Sequence, residues 1–279
     1  MLPLRAPPSR TWSTLQALLH HHHHHRHPFT TMSPPSTSTT SSADPADHTT
    51  TKKQEPVVTQ VSDLSNADSK WVALKQISYV DAAGRPRTWE VATRKTRAEP
   101  PTTTTTTPSP SPTTADSEAV DAVAVGNVLL HASRAPATVL VVQYRPPLDA
   151  WTVEWPAGLV DPGETAAQAA AREFREETGY ACSAVVSVSP PQAADPGLSN
   201  ATMRLVMVEV QLPEDDDGAV LPPQRLDDGE RIERVVVPLA ELYDRLLEYA
   251  RRDRFIVAAK LFHFAAGMRF AQEQKYMKL

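Results

Sequence analysis

Three glutamates, Glu173, Glu176 and Glu177, follow Arg172 near the end of an alanine-rich stretch. On one helix, at 100° per residue, their carboxylates fall within an arc of about 100° and converge on one patch of space. Carboxylates that close repel one another, and divalent cations relieve the repulsion. Hard oxygen ligands with open positions suit Mg²⁺ or Mn²⁺ that also hold phosphate oxygens. Arg172 lies just beside the arc. It is placed to pair with Glu164 from the preceding loop or with a ligating carboxylate, orienting the ligands from outside the metal. A glutamate cluster alone more often marks a solvated helix face, so the frame around this one decides.

That frame runs from Gly158 to Tyr180, GLVDPGETAAQAAAREFREETGY. It reads Gly-x5-Glu-x7-Arg-Glu-φ-x-Glu-Glu-x-Gly-φ, with φ apolar or aromatic, and every position is filled. At average residue frequencies such a match arises by chance once in ~10⁷ chains of this length, so it is a signature. Thr165 is an N-cap, the alanines favour helix, and Gly179 suits the position beyond the last turn. The stripe Ala167, Ala170, Ala171 and Phe174 is small and apolar, fit to pack the helix on a sheet. The pattern resembles the Nudix box, found in hydrolases that cut nucleoside diphosphates linked to another group.

The elements that must position this helix are strand-rich. Trp71–Val80 and Arg87–Thr96, joined by a turn at Ala82–Arg85, form an antiparallel hairpin. Ala119–Leu130 and Thr138–Gln143 read as buried strands. Thr152–Trp155 is a short strand leading to Pro156 and the Nudix loop. Ala181–Ser189, Met203–Gln211 and Arg231–Val237 are further strands. Pro238 opens a helix to about Arg252, and Asp253 caps a last helix to about Gln274, with Phe255, Ala258, Ala259, Phe262 and Ala266 near helical spacing. The expected fold is α/β: a Nudix α/β/α sandwich with a mixed β-sheet and a β-rich N-terminal part.

Composition bounds the rest. Of 279 residues, 1–57 form a Ser, Thr, Pro and His-rich tail and 99–117 a Thr/Pro insertion, both too polar to pack. Roughly 200 residues are left for one domain spanning 61–274. The net charge of −5 is mild, and no basic stripe points to nucleic acid. No apolar run reaches membrane-spanning length. The single cysteine, Cys182, excludes an intrachain disulfide and fits a reducing compartment. The first 43 residues lack acidic groups but hold Arg5, Arg10 and Arg26, as transit peptides do. The expected location is the cytoplasm or nucleus, with mitochondrial targeting by the tail as an alternative. The run His20–His25 reads as low-complexity drift, a metal-binding tract or a tag, and Met32 is an alternative start.

Three segments resemble the eukaryotic ADP-sugar pyrophosphatases: Lys70–Arg97, Gln143–Thr165, and Asp195–Asn200 with Pro196 sixteen residues past the box. A weaker match covers Asp227–Leu242. The resemblance implies hydrolysis of ADP-ribose and related ADP-sugars to AMP and ribose 5-phosphate, with two to three Mg²⁺ ions, or Mn²⁺, per site. It places metal on the Ala157 carbonyl and on Glu173 and Glu177, to which the converging carboxylates add Glu176. Trp71 and Trp89 match an aromatic pair around adenine, one of them supplied by the second subunit of a homodimer. Glu90 matches the residue that reads the adenine edge, and Arg94 and Arg145 match phosphate-binding arginines. Leu159 and Asp195 match positions on the ribose side. Glu230 matches a loop glutamate that acts as general base or completes the site, forming the catalytic set with Glu173 and Glu177; a neighbouring carboxylate of the acidic loop before it is the alternative. The alternatives are a Nudix hydrolase of another nucleotide, such as an oxidised guanine nucleotide, and a non-catalytic ADP-ribose sensor.

Overall fold

The computed structural model describes residues 55–95 and 120–273. The tail up to its last three residues, the Thr/Pro insertion and the expected element ends at Thr96 and Gln274 lie outside the described residues.

Strands β1 (Val72–Val80) and β2 (Pro86–Arg94) form an antiparallel two-stranded sheet. Their turn is tight because the Asp81 carboxylate accepts the amides of Ala83 and Arg85, both at 2.9 Å, while Gly84 takes a left-handed φ of +75°.

The second sheet holds β3 (Ala122–His131), β4 (Arg134–Arg145), β5 (Ala150–Glu154), β6 (Ala157–Leu159), β7 (Ala184–Val188), β8 (Gln192–Ala193), β9 (Thr202–Gln211), β10 (Ile232–Pro238) and β11 (Phe255–Val257). Its main path runs β11-β5-β4-β3-β9-β7, with β10 on β4, β6 on β3 and β8 on β9. The pairs β3–β9 and β5–β11 are parallel and the others antiparallel, so the sheet is mixed. Where β3 and β4 diverge, the buried Asn127 amide bridges the gap. Its oxygen accepts the Val139 amide at 2.8 Å and its nitrogen donates to the Val139 carbonyl at 3.0 Å.

Among the described residues three α-helices cover the two faces: α1 (Ala166–Thr178), α2 (Leu242–Ala250) and α3 (Ala259–Gln272). Side chains alternate along a strand, so β4 feeds two cores. Val139 packs with Val123, Val125, Val206 and the α1 residues Ala166, Ala170 and Phe174. Leu140 and Val142 pack with Leu242, Leu246 and Leu261 of α2 and α3. The result is an α/β/α sandwich.

The structure corrects the sequence expectation at the C-terminal end. Asp253 caps no helix, because Phe255–Val257 pairs with Trp151–Val153 as β11. The Trp151 amide donates to the Arg254 carbonyl at 2.8 Å and the Ala258 amide to Val153 at 3.0 Å, so α3 starts only at Ala259. A sheet edge with free backbone groups outweighs the local helical spacing. Likewise Pro238 ends β10, and α2 begins at Leu242 after a 3₁₀ turn.

Candidate active site

Helix α1 is closed at both ends. At the N-terminus Thr165 Oγ1 accepts the Gln168 amide at 3.3 Å, while Gln168 Oε1 accepts the Thr165 amide at 2.9 Å. At the other end Gly179 adopts φ +80°, and a Cβ there would come within 2.6 Å of the Pro222 carbonyl. A segment distant in sequence satisfies the last carbonyls of the helix. Gln224 Nε2 donates to Glu177 at 2.6 Å, the Arg225 amide to Glu176 at 2.9 Å, and Arg234 Nη1 to Thr178 at 2.7 Å. The face packed on the sheet is centred on Ala166, Ala169, Ala170 and Phe174. Ala167 and Ala171, expected there, are only half-buried. The buried stripe follows the i, i+4, i+8 row 166–170–174, which turns α1 slightly and carries Glu177 inward.

Glu177 is accordingly 6% exposed. Its Oε2 accepts the Ala157 amide at 3.1 Å, which fastens β6 to the end of the helix. Burial pushes the Glu177 carboxyl up to about 8, helped by the charges of Glu173 and Glu230 and opposed by the Ala157 bond and Arg145. Burial also raises Glu173, against the pull of Arg172.

Arg172 organises the remaining carboxylates. It meets Glu164 through Nε at 3.0 Å and Nη2 at 2.9 Å, and its Nη1 reaches Glu173 at 2.8 Å and Glu176 at 3.3 Å. Nη2 also donates to the Leu159 carbonyl at 3.0 Å, tying β6 to the helix. The hydrogen bond from Arg172 holds Glu164 below the usual carboxylate range. Both partners left open by the sequence are therefore used at once. Glu173 can lie here because residue 158 is glycine: its carboxylate occupies the space a Cβ on residue 158 would fill.

Among the described residues no three His, Cys, Asp or Glu side chains form a ready-made cation cage. The donor set nevertheless fits Mg²⁺, which is held by one or two carboxylates together with waters and substrate phosphates rather than by an all-protein cage. The cradle at Gly158 and a buried Glu177 bonded by one amide supply such an incomplete set.

Arg145 and Glu230 face this cluster. Arg145 is bonded to Glu154 and lies within electrostatic reach of Glu177 and Glu230. The Glu230 carboxylate accepts the Asp227 amide at 3.1 Å within its own loop, where Gly229 has φ +86°.

The hairpin residues lie apart from α1. Trp71, Glu90 and Arg94 have no hydrogen bond to the helix cluster among the described residues. What ties the hairpin to the domain is the loop after β8. Trp89 Nε1 donates to the Gly197 carbonyl at 3.2 Å, and the Ala92 amide to Leu198 at 2.8 Å. Asp195 shapes that loop by accepting the Ser199 amide at 2.8 Å through its carbonyl. Trp89 faces Ile77 in the hairpin register, whereas Trp71 joins Lys95 through its carbonyl at 2.9 Å. Six residues of strand, about 20 Å, separate the two levels. Both rings are at least half exposed, and they cannot clasp one base within a single chain.

Sequence reasoning missed Glu154, Thr152, Gln224 and Arg234. Thr152 and Glu154 carried a signal, two polar residues at period two inside an otherwise apolar strand. Gln224 and Arg234 carried none, since their partners lie 47 and 56 residues away.

Residues 120–259 match the family model of the NUDIX domain. The chain is 36% identical over 217 residues to an uncharacterized Nudix hydrolase of Schizosaccharomyces pombe, covering 77% of this chain and 94% of that one. It is 32% identical over 210 residues to an ADP-sugar pyrophosphatase of Mus musculus, covering 75% and 87%. It is 33% identical over 210 residues to an ADP-ribose pyrophosphatase of Saccharomyces cerevisiae, covering 74% and 80%.

Proposed function

This chain belongs to the NUDIX domain family, and from that premise we propose that it hydrolyses the pyrophosphate bond of ADP-ribose and related ADP-sugars. The observation that carries the substrate is the reach of the similarity. The match to the mouse and yeast pyrophosphatases extends well outside residues 120–259, into the segment before residue 120. The hairpin with Trp71, Trp89, Glu90 and Arg94 lies in that segment, so the likeness extends past the hydrolytic box.

Nudix hydrolases generally use divalent metals, and we infer Mg²⁺, two to three ions, held by Glu173, Glu177 and the Ala157 carbonyl with Glu176 at the rim. When bound, the ions offset charge on the pyrophosphate and acidify water. The protein's own groups do the rest. Arg172 and Glu164 fix the Glu173 carboxylate, Arg145 and Arg94 bind phosphate oxygens, and Glu230 accepts a proton from the attacking water. The Asp227 amide engages only Oε2 of Glu230, so Oε1 is the oxygen placed to take that proton. Leu159 and Asp195 border the ribose.

A homodimer completes the base site. The hairpin exposes Trp71, Val72, Leu74, Ile77 and Val80, and the edge strand β7 exposes Val185, Val186 and Val188. Apolar surface of that extent favours burial by a second copy. The separation of Trp71 from Trp89 along the hairpin supports a pocket with one ring from each subunit.

The test is turnover of ADP-ribose, ADP-glucose, diadenosine polyphosphates and 8-oxo-dGDP at fixed Mg²⁺, with and without EDTA. Chelator-sensitive release of AMP, fastest from ADP-ribose, is the expected result. Faster cleavage of the oxidised guanine nucleotide overturns the substrate, and bound but uncut ADP-ribose makes the protein a sensor.

A further inference from the structure

Arg145 ends β4 opposite Ala150, whereas Glu154 lies at the far end of β5 opposite Val141. Four residues of strand, about 13 Å, separate their levels. The residues 150, 152 and 154 share one face of the sheet, and so do their partners 145, 143 and 141. The two side chains nevertheless meet as a fork, Nε to Oε1 at 2.9 Å and Nη2 to Oε2 at 3.3 Å. Arg145 must therefore lie along the sheet surface, over Thr152, rather than project from the strand end into solvent.

Glu154 is itself held. The buried Thr152 hydroxyl contacts both Glu154 Oε1 and the Gln143 carbonyl. Oε1 thus meets two groups and Oε2 one, which leaves Glu154 little capacity as a cation ligand. The fork takes one side edge of the guanidinium, Nε and one hydrogen of Nη2. Three N–H donors stay free, two of them at its outer edge, and no other hydrogen bond of Arg145 occurs among the described residues. The Arg145 side chain is 44% exposed, so it is not sealed beneath other groups. The same pose brings the charge within reach of Glu177 and Glu230.

We propose that Glu154, steadied by Thr152, is a positioning residue that holds the Arg145 guanidinium beside α1 with its outer edge presented to the pyrophosphate. An arginine free to roam must be ordered when substrate binds, and one already forked to a carboxylate is ordered in advance. This role rests on the pyrophosphatase reading above, because it assumes that Arg145 meets a diphosphate.

The experiment compares Glu154→Ala, Glu154→Gln, Arg145→Ala and the Glu154→Ala/Arg145→Ala pair. KM and kcat for ADP-ribose are measured with Mg²⁺, together with the affinity for inorganic pyrophosphate by calorimetry. Glu154→Ala is expected to raise KM about three- to tenfold, the range for ordering one long side chain, with kcat little changed. Glu154→Gln, whose amide oxygen still accepts from Nε, is expected to recover most of the loss. Without Arg145, removing Glu154 should change KM by less than about twofold, since the two act as one unit.

An unchanged or lowered KM in Glu154→Ala overturns the proposal, a lowered one marking Glu154 as a mere neutraliser. An equal loss with and without Arg145 also overturns it. Should Glu154→Ala fail to fold, Glu154→Gln with and without Arg145 decides by the same coupling. If the unaltered chain fails to cut ADP-ribose, the substrate reading falls separately. The pyrophosphate affinities of the same variants then judge Glu154 by the same pattern.

Discussion

The Glu173 carboxylate occupies the space in which residue 158 would carry a Cβ, so the bare α-carbon of Gly158 is the floor of the site. Gly158 belongs to β6, paired to Val123 of β3, and that backbone has little freedom to withdraw. Gly158→Ala should therefore displace Glu173 and not the strand. A shift of about 1 Å in a catalytic group costs on the order of 10²-fold in turnover. Steady-state kinetics beside a melting curve checks this: kcat should collapse in a protein that stays folded, and an unimpaired kcat would remove Glu173 from the reaction.

The Glu173→Gln/Glu177→Gln double variant should lose at least about 10²-fold of its Mg²⁺-dependent turnover, because charge on the pyrophosphate is no longer offset. It should still bind ADP-ribose, since the arginines and hairpin are untouched. Equal turnover in the two proteins would sink the metal assignment.

Glu177 makes the cation-free protein sensitive to pH. Its carboxyl, pushed up to about 8 from an ordinary 4.5, keeps a proton in the folded chain that the unfolded chain has already lost. The folded state binds more protons, so stability is greatest below about 4.5, falls as pH rises, and has lost this contribution beyond about 8. In EDTA the melting temperature should fall between about pH 5 and pH 8 more steeply than in Glu177→Gln. Saturating Mg²⁺ should remove much of the difference by stabilising the ionised form. Parallel curves for the two proteins would contradict the burial argument.

Trp71 and Trp89 lie too far apart on one hairpin to share a base. If each pocket uses one from each subunit, Trp71→Ala and Trp89→Ala should each raise KM while leaving the fold intact. Co-expressing the two variants should then restore about a quarter of the sites, because half the dimers are mixed and each mixed dimer has one intact pocket. No recovery on mixing would argue for pockets built within single chains.

Gln224 joins the last turn of α1 to β10, donating to Glu177 and Ile232 at 2.6 and 3.1 Å. Gln224→Ala leaves two partly buried carbonyls short of a donor and should destabilise by about 1–2 kcal/mol in urea denaturation. The same bonds anchor the loop that carries Glu230, so kcat should fall along with stability. A stability loss with kcat untouched would separate the anchor from catalysis.

The Nudix helix was legible to within a residue, from Thr165 to Gly179, because its cap, its alanines and its closing glycine are all local signals. So were the hairpin, the main strands and the membership of Glu164 and Arg172 in one cluster. The short strands β6, β8 and β11 were not. β6 and β11 exist by pairing with strands far away in sequence and β8 by pairing with its neighbour β9, and two or three residues carry too little periodicity to announce any of them. The helix expected from Asp253 failed for the same reason, as Phe255–Val257 satisfies the edge of β5 instead.

The amino-acid sequence by itself determined the chemistry, since carboxylate spacing on a helix is set by 100° per residue and needs no partner. It also determined why residue 179 must be glycine, through the left-handed turn. Tertiary structure alone decided which carboxylate is buried, that Gly158 makes room for Glu173, that Glu154 turns Arg145 toward the site, and that the two tryptophans stand apart. Those depend on which strands lie side by side, and strand pairing is a contest among distant backbone groups that no local pattern encodes.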